Sequence, residues 1–214
     1  MKLALFDLDN TLLDGDSDVE WTELLAARGL CDAGIVARFH DEYNAGTLDI
    51  DAFLRFQIGV LAAHPLDDLL GWRREFIEQR IRPRLARDAH ALVAEHARAG
   101  HTCALVTATN RFLVEPIAAM LALPHVVATE PEFSGGRYTG RWLGPACFQA
   151  GKIACVDLWL ASRRLAWADF DESWFYSDSH NDIPLLARVS HAVAVRPDAA
   201  LAAHARRAGW RVIT

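Results

Sequence analysis

Four short apolar runs constrain this chain more than any other feature. They are residues 3–6 (LALF), 102–106 (TCALV), 173–176 (SWFY) and 192–195 (AVAV). The first three stop at polar residues: Asp7, Thr107, and Ser177 with Asp178. Longer stretches of helical periodicity separate them. Runs this short, alternating with helices, predict a parallel sheet covered on both faces, a Rossmann-like α/β fold. Ligands of such sheets bind beyond the carboxyl ends of the strands. Asp7, Thr107 and Asp178, far apart in sequence, are therefore expected to meet in one crevice.

The stretch between the first two runs reads mostly as helix. Val19, Trp21, Leu24 and Leu25, then Phe53, Leu54, Ile58 and Leu61, recur at helical spacing. Gly29, Gly46-Thr47 and His64-Pro65 punctuate it. Helices are further expected over 84–99, ended by Gly100, and over 111–122. Residues 15–80 thus read as an inserted helical subdomain over the strand ends, leaving 1–14 and 81–214 as the core. In "ATEPEFSGGRYTGRW" (128–142), Gly135-Gly136 predicts a hairpin turn.

Charge and composition narrow the function classes. A net charge of −6 disfavours nucleic acid as the main partner, because a phosphate backbone calls for basic patches. It leaves room for a small phosphorylated metabolite, since a bound cation reverses the local field. Cys31, Cys103, Cys147 and Cys155 form no CxxC pair, which suits reduced thiols. No signal-peptide pattern is seen and no apolar run is long enough to span a bilayer, so a cytoplasmic protein with no membrane partner is expected.

The chemistry concentrates in four places. "FDLDNTLLDGDSD" (6–18) packs five aspartates into thirteen positions, with Asp7 and Asp9 two apart and Thr11 just beyond. Like charges that close raise each other's pKa unless a cation sits between them. Thr107 follows in "LVTATN". Lys152, one of only two lysines, stands in "QAGKIA" at a helix start. "YSDSHNDIPLL" (176–186) supplies Asp178, Asn181 and Asp182. A phosphate monoester is an anionic electrophile with a poor leaving group. A site that attacks it with a carboxylate must first cancel charge, which a divalent cation with oxygen ligands does.

These four segments, in this order, resemble those of the haloacid dehalogenase-like phosphohydrolases. The resemblance implies that Asp7 is a nucleophile forming an aspartyl-phosphate and that Asp9 is the general acid, then the base. It implies Mg2+ held by Asp7, the Asp9 main-chain carbonyl and Asp178. Thr107 and Lys152 would meet the phosphoryl group, with Thr11, Asn181 and Asp182 in support. The insert occupies the position of a helical C1-type cap, which closes the site and reads the leaving group.

The hairpin and the lysine after it look most like the phosphoserine phosphatase branch. Two cap positions depart from that branch. Asp16 stands where those enzymes carry a Glu for the substrate amine. Gln57 aligns with their carboxylate-binding Arg, with Arg55, two residues earlier, as the alternative for that role. A Gln gives no charge-assisted pairing with a carboxylate. An amine-bearing phosphate without a carboxylate fits that change, and L-histidinol phosphate is one. "DGDSDVEW" (14–21) also resembles a segment of histidinol-phosphate phosphatases. On this reading Asp16 and Asp18 hold the amine, and Trp21, Phe53 and Phe56 pack on the imidazole. The alternatives are a helix cap for "DSD" and core packing for the aromatics. Phosphoserine hydrolysis, phosphoryl transfer to an alcohol, and a non-catalytic binding protein on the same scaffold remain open. Neither G-x-x-x-x-G-K-[ST] nor G-x-S-x-G is present.

Overall fold

The structure, a computed structural model, describes the backbone of residues 1–214 and the side chains at all positions but 33, 36, 40 and 44. The chain runs β1 (Lys2–Phe6), α1 (Ser17–Ala27), α2 (Ala33–Asn44), α3 (Ile50–Ala63), α4 (Leu66–Phe76), α5 (Ala89–Arg98) and β2 (Thr102–Thr107). It continues through α6 (Arg111–Met120), β3 (His125–Ala128), β4 (Glu130–Ser134), β5 (Arg137–Leu143), α7 (Gly151–Ser162) and β6 (Glu172–Ser177). It ends with α8 (Ile183–Leu186), β7 (His191–Val195), α9 (Ala199–Ala208) and β8 (Arg211–Ile213).

Six strands form one parallel sheet in the order β3-β2-β1-β6-β7-β8. The apolar runs are its four inner strands. Successive side chains of β1 point to opposite faces. Ala4 and Phe6 enter a core shared with α1, α5 and α6, and Leu3 and Leu5 enter one shared with α7 and α9. This double burial is why these strands read as continuous apolar runs rather than alternating ones. From β1 the chain builds outward to β2 and β3, then returns to β6 and builds the other way. The switch lies between β1 and β6, where this class of sheet opens a crevice.

Helices α1 to α4 lie between β1 and β2, followed by a π turn at Ile77–Ile81 and a 3-10 turn at Arg82–Arg84. The helix expected over 84–99 starts only at Ala89. Leu85 is instead extended and forms a β-bridge with Leu13, after Pro83 has ended the preceding turn. Glu20 on α1 pairs with Arg84 at 2.7 Å and Arg80 at 3.4 Å, tying both ends of the helical stretch together. Trp21 is fully buried, edge-on to Phe76 at 5.4 Å and to Phe112 at 6.3 Å.

The hairpin β4–β5 stands apart from the main sheet. Its two-residue turn has Gly135 at φ +59 and Gly136 at φ +81, the left-handed pair that tight hairpins require. It packs against α3: a Cβ on Gly140 would lie 3.5 Å from Ala62 Cβ. Among the described residues, no helix is long and apolar enough to cross a membrane.

Candidate active site

Asp7 continues β1 by one step, its N–H donating to the Tyr176 carbonyl at 2.9 Å. The chain then turns through Asn10 at φ +53. Arg196 clamps the turn from the β7 side, donating to the carbonyls of Asn10 at 3.0 Å and Thr11 at 2.9 Å. The Asp7 carboxylate is thereby fixed at the sheet's carboxyl edge.

Lys152 arrives from the opposite side. At Gly151 the backbone runs so close to the Ala146 carbonyl that a Cβ would lie 2.1 Å from its oxygen, so only glycine fits. The next residue then projects inward. Lys152 Nζ lies 2.7 Å from Asp7 Oδ1 and 2.7 Å from Asp182 Oδ2. Ser177 donates to that same Asp182 oxygen at 2.7 Å. Burial would push the ammonium down, but Asp182 and Asp7 outweigh it and hold Lys152 well above its usual range.

Asp178 comes from the end of β6. Thr11 Oγ1 lies 3.4 Å from Asp7 Oδ2 and 3.3 Å from Asp178 Oδ1, so the two carboxylates share one hydroxyl proton. Burial, only partly offset by Lys152, raises Asp7 to about 6. Burial, then Asp7 and Asp182, raise Asp178 to about 8. Among the described residues, no three Asp, Glu, His or Cys side chains converge as a ready-made cage. A cation here would take two carboxylates, the Asp9 main-chain carbonyl and water. That sparse, all-oxygen donor set is the one Mg2+ accepts.

A second group of carboxylates stands above the first. Asp9 Oδ1 accepts from Ser17 N at 2.6 Å, and Oδ2 from Thr109 Oγ1 at 3.2 Å. Burial, then Asp16, Asp7 and Asp18, hold Asp9 well above the carboxylate range. Burial and then Asp16 raise Asp18 to about 8. Asp16 caps α1, accepting from Asp18 N at 2.9 Å and Val19 N at 3.0 Å. The capping reading of "DSD" therefore describes Asp16, although that residue also lines the cleft. Sequence reading missed Thr109 and Ser17, which join this group. The one available signal was the placement of Thr109 two residues after Thr107, at a strand end.

The cleft between these groups and the helices measures about 780 Å³, its open mouth included. Asp7, Asp9, Lys152, Asn181 and Asp182 line its floor, and Asp16, Asp18 and Thr22 line one side. Phe39, Tyr43, Phe53, Phe56 and Phe148 form an aromatic wall. Thr107 is fully buried beneath, its Oγ1 accepting from Thr109 N at 3.2 Å. Asn181 Oδ1 accepts from Gln149 Nε2 at 2.9 Å, while its Nδ2 is buried with no partner.

Three expected cleft residues are elsewhere. Trp21 faces the core because its side of α1 packs on α4 and α6. Arg55 is exposed, on the solvent side of α3. Gln57 is buried behind the cleft, donating to Asp18 Oδ1 and Thr22 Oγ1, both at 3.3 Å.

The pattern of the haloacid dehalogenase-like hydrolases matches residues 4–187, from within β1 to just past α8. The chain belongs to that family, and within it to the phosphatases. It is 39% identical over 217 residues to histidinol-phosphatase of Neisseria meningitidis serogroup C, covering 99% of this chain and 98% of that one. It is 32% identical over 216 residues to a phosphoserine phosphatase of Mycobacterium tuberculosis, covering 98% of this chain and 69% of the relative. A solved protein of unknown function from Bordetella pertussis Tohama I superimposes with a TM-score of 0.93 at 45% identity, over 100% and 98% of the two chains. A substrate-bound phosphoserine phosphatase shares the fold, with a TM-score of 0.71 at 20% identity over 99% and 92% of the chains.

Proposed function

We propose that this phosphatase is Mg2+-dependent, works through an aspartyl-phosphate and hydrolyses L-histidinol phosphate, with residues 15–80 acting as the cap. The observation that carries the substrate reading is the charge pattern of the cleft. Among the described lining residues Lys152 is the sole Lys or Arg, and it is committed to Asp7 and Asp182. Asp16 and Asp18 add two carboxylates beside an aromatic wall. Such a cleft suits a phosphate ester with an ammonium and a flat ring, and offers no cation to a carboxylate. Gln57 is engaged in holding Asp18. The full-length similarity to the Neisseria histidinol-phosphatase supports the same substrate.

The chain's own groups divide the reaction into two displacements. The Asp7 carboxylate attacks phosphorus, and the bond to the alcohol oxygen breaks as Asp9 gives that oxygen its proton. Asp9, now a carboxylate, takes a proton from water. The resulting hydroxide displaces Asp7 and frees inorganic phosphate. Three donors suit the phosphoryl oxygens: Lys152, the unpartnered Asn181 Nδ2, and the Thr107 hydroxyl proton. Bound Mg2+, held by Asp7, Asp178 and the Asp9 carbonyl, would supply the remaining charge cancellation. Four free cysteines suit a reducing compartment such as the cytoplasm.

The test is phosphate release with Mg2+ from L-histidinol phosphate and L-phosphoserine in parallel, with EDTA and Asp7→Asn as controls. Histidinol phosphate is expected to lead in kcat/KM by about a hundred-fold, since the phosphoserine carboxylate would go unpaired. Asp18→Asn should raise KM for the amine substrate. Phosphoserine in the lead would overturn the substrate assignment. Phosphate from neither would bring the binding-protein reading forward.

A further inference from the structure

Thr109 Oγ1 is the meeting point of three polar groups. It lies 3.2 Å from Asp9 Oδ2, 2.9 Å from Asp18 Oδ2 and 3.0 Å from Ser17 Oγ. The residue is almost fully buried, and its own N–H is held by Thr107 Oγ1 at the end of β2. A hydroxyl has one proton to give, and Thr109 Oγ1 faces two carboxyl groups, so it donates to one of them at a time. Thr109 therefore serves Asp9 or Asp18, and cannot serve both fully at once.

We propose that Thr109 is a positioning residue that links the substrate's amine to protonation of the leaving group. The inference rests on reading Asp9 as the proton donor and Asp18 as the amine reader. A substrate ammonium seated on Asp18 satisfies that carboxylate, and the Thr109 proton is then committed to Asp9 Oδ2. When Asp9 protonates the departing alcohol oxygen, its O–H bond breaks and the electron pair stays on the carboxylate. The new O–H bond forms on the alcohol. The negative charge that develops on Asp9 is held by Thr109 at one oxygen and by Ser17 N, 2.6 Å away, at the other. Because that charge appears only as the proton leaves, the hydrogen bond acts on rate rather than on ground-state binding. The amine thus accelerates the chemical step as well as anchoring the substrate.

The experiment is single-turnover alcohol release with enzyme in excess, which reports transfer to Asp7 alone. L-Histidinol phosphate is compared with its deaminated analogue, imidazolylpropyl phosphate. In the native protein the amine should improve both the half-saturation concentration and the saturated rate constant, the latter about ten-fold, the scale of a hydrogen bond to a charged group. Thr109→Val should abolish the rate advantage and keep the binding advantage, because Asp18 is still present. Thr109→Ser should restore the rate advantage. Thr109→Ala stands in if the valine variant does not fold.

A rate advantage that survives in Thr109→Val, or an equal loss with both substrates, would overturn the inference. Asp9→Asn, assayed on p-nitrophenyl phosphate and on the alkyl ester, separates this failure from that of the reading beneath it. Selective loss on the alkyl ester upholds Asp9 as the acid, since p-nitrophenolate leaves unprotonated. Equal loss on both overturns that role and the inference with it.

Discussion

The Tyr43 hydroxyl donates to Ser179 Oγ at 3.1 Å, joining α2 to the loop that follows β6. The Tyr43 ring also faces Phe148 across the cleft, 6.2 Å between centroids. One phenol therefore both forms part of the wall and ties it shut. Tyr43→Phe keeps the wall and removes one hydrogen bond, about 1 kcal/mol. KM for the phosphate ester should rise about five-fold with little change in melting temperature. Steady-state kinetics and a thermal melt check both.

Asp178→Asn separates stability from activity. Burial beside Asp7 and Asp182 raises the Asp178 pKa from 3.8 to about 8. A raised carboxylate favours the fold below its unfolded pKa and loses that benefit as pH rises toward the folded value. At pH 7 and without metal the carboxylate is therefore a liability, and the amide should raise the melting temperature by a few degrees. The same variant should lose the Mg2+-induced gain in melting temperature and nearly all activity. Calorimetry with Mg2+ and with EDTA reads the first, and phosphate release the second.

His96 predicts an acid limit that is independent of catalysis. Burial first, then neighbouring His101, push its pKa from 6.5 down to about 4. Its Nδ1 lies 2.8 Å from His101 Nδ1 and its Nε2 lies 2.7 Å from the Tyr176 hydroxyl, leaving no room for a second charge. His101 is itself lowered by burial and Lys2, while Glu95 and Glu172 act in the opposite sense on His96 and His101 respectively. The folded pKa is below the unfolded one, so this contribution is complete above pH 6.5 and fades toward pH 4, by up to about 3 kcal/mol. His96→Gln should flatten the difference in unfolding free energy across that window, measured by urea titration at several pH values.

Gly151→Ala should damage the site through the backbone. A methyl group 2.1 Å from the Ala146 oxygen forces the start of α7 to move. The cost should be about 2 kcal/mol, and Lys152 should leave its position between Asp7 and Asp182. Activity is expected to fall by more than the lost stability explains, which comparing kcat with the fraction folded would reveal.

Much of this arrangement is legible in the sequence because the inner strands are short, apolar and closed by polar residues. The edge strands escaped because β8 has no fully buried residue and β3 has only Val127. Helical periodicity located the buried face of α1 but could not tell core from cleft, and so Trp21 was expected to meet ligand. On α3 the fully buried positions Leu54, Gln57, Ile58 and Leu61 share one face, which leaves Arg55 in water. Thr109 went unnoticed because a neutral hydroxyl gains its meaning only from the carboxylates that the fold brings to it.

The hairpin that braces α3 also divides the helical insert into parts of unequal resilience. Pulling α3 off the ribbon would uncover its packing against β5, and Trp21 anchors α1 to α4 and α6. Among its described side chains, helix α2 is held by Phe39 against Phe53 and Phe56, by the Tyr43 ring beside Phe148 and by the Tyr43 bond to Ser179. Its amide protons should accordingly exchange with deuterium well before those of α3, making α2 a cooperative unit of its own. Substrate would then be admitted by the fluctuation of one twelve-residue helix rather than by the swing of a whole domain.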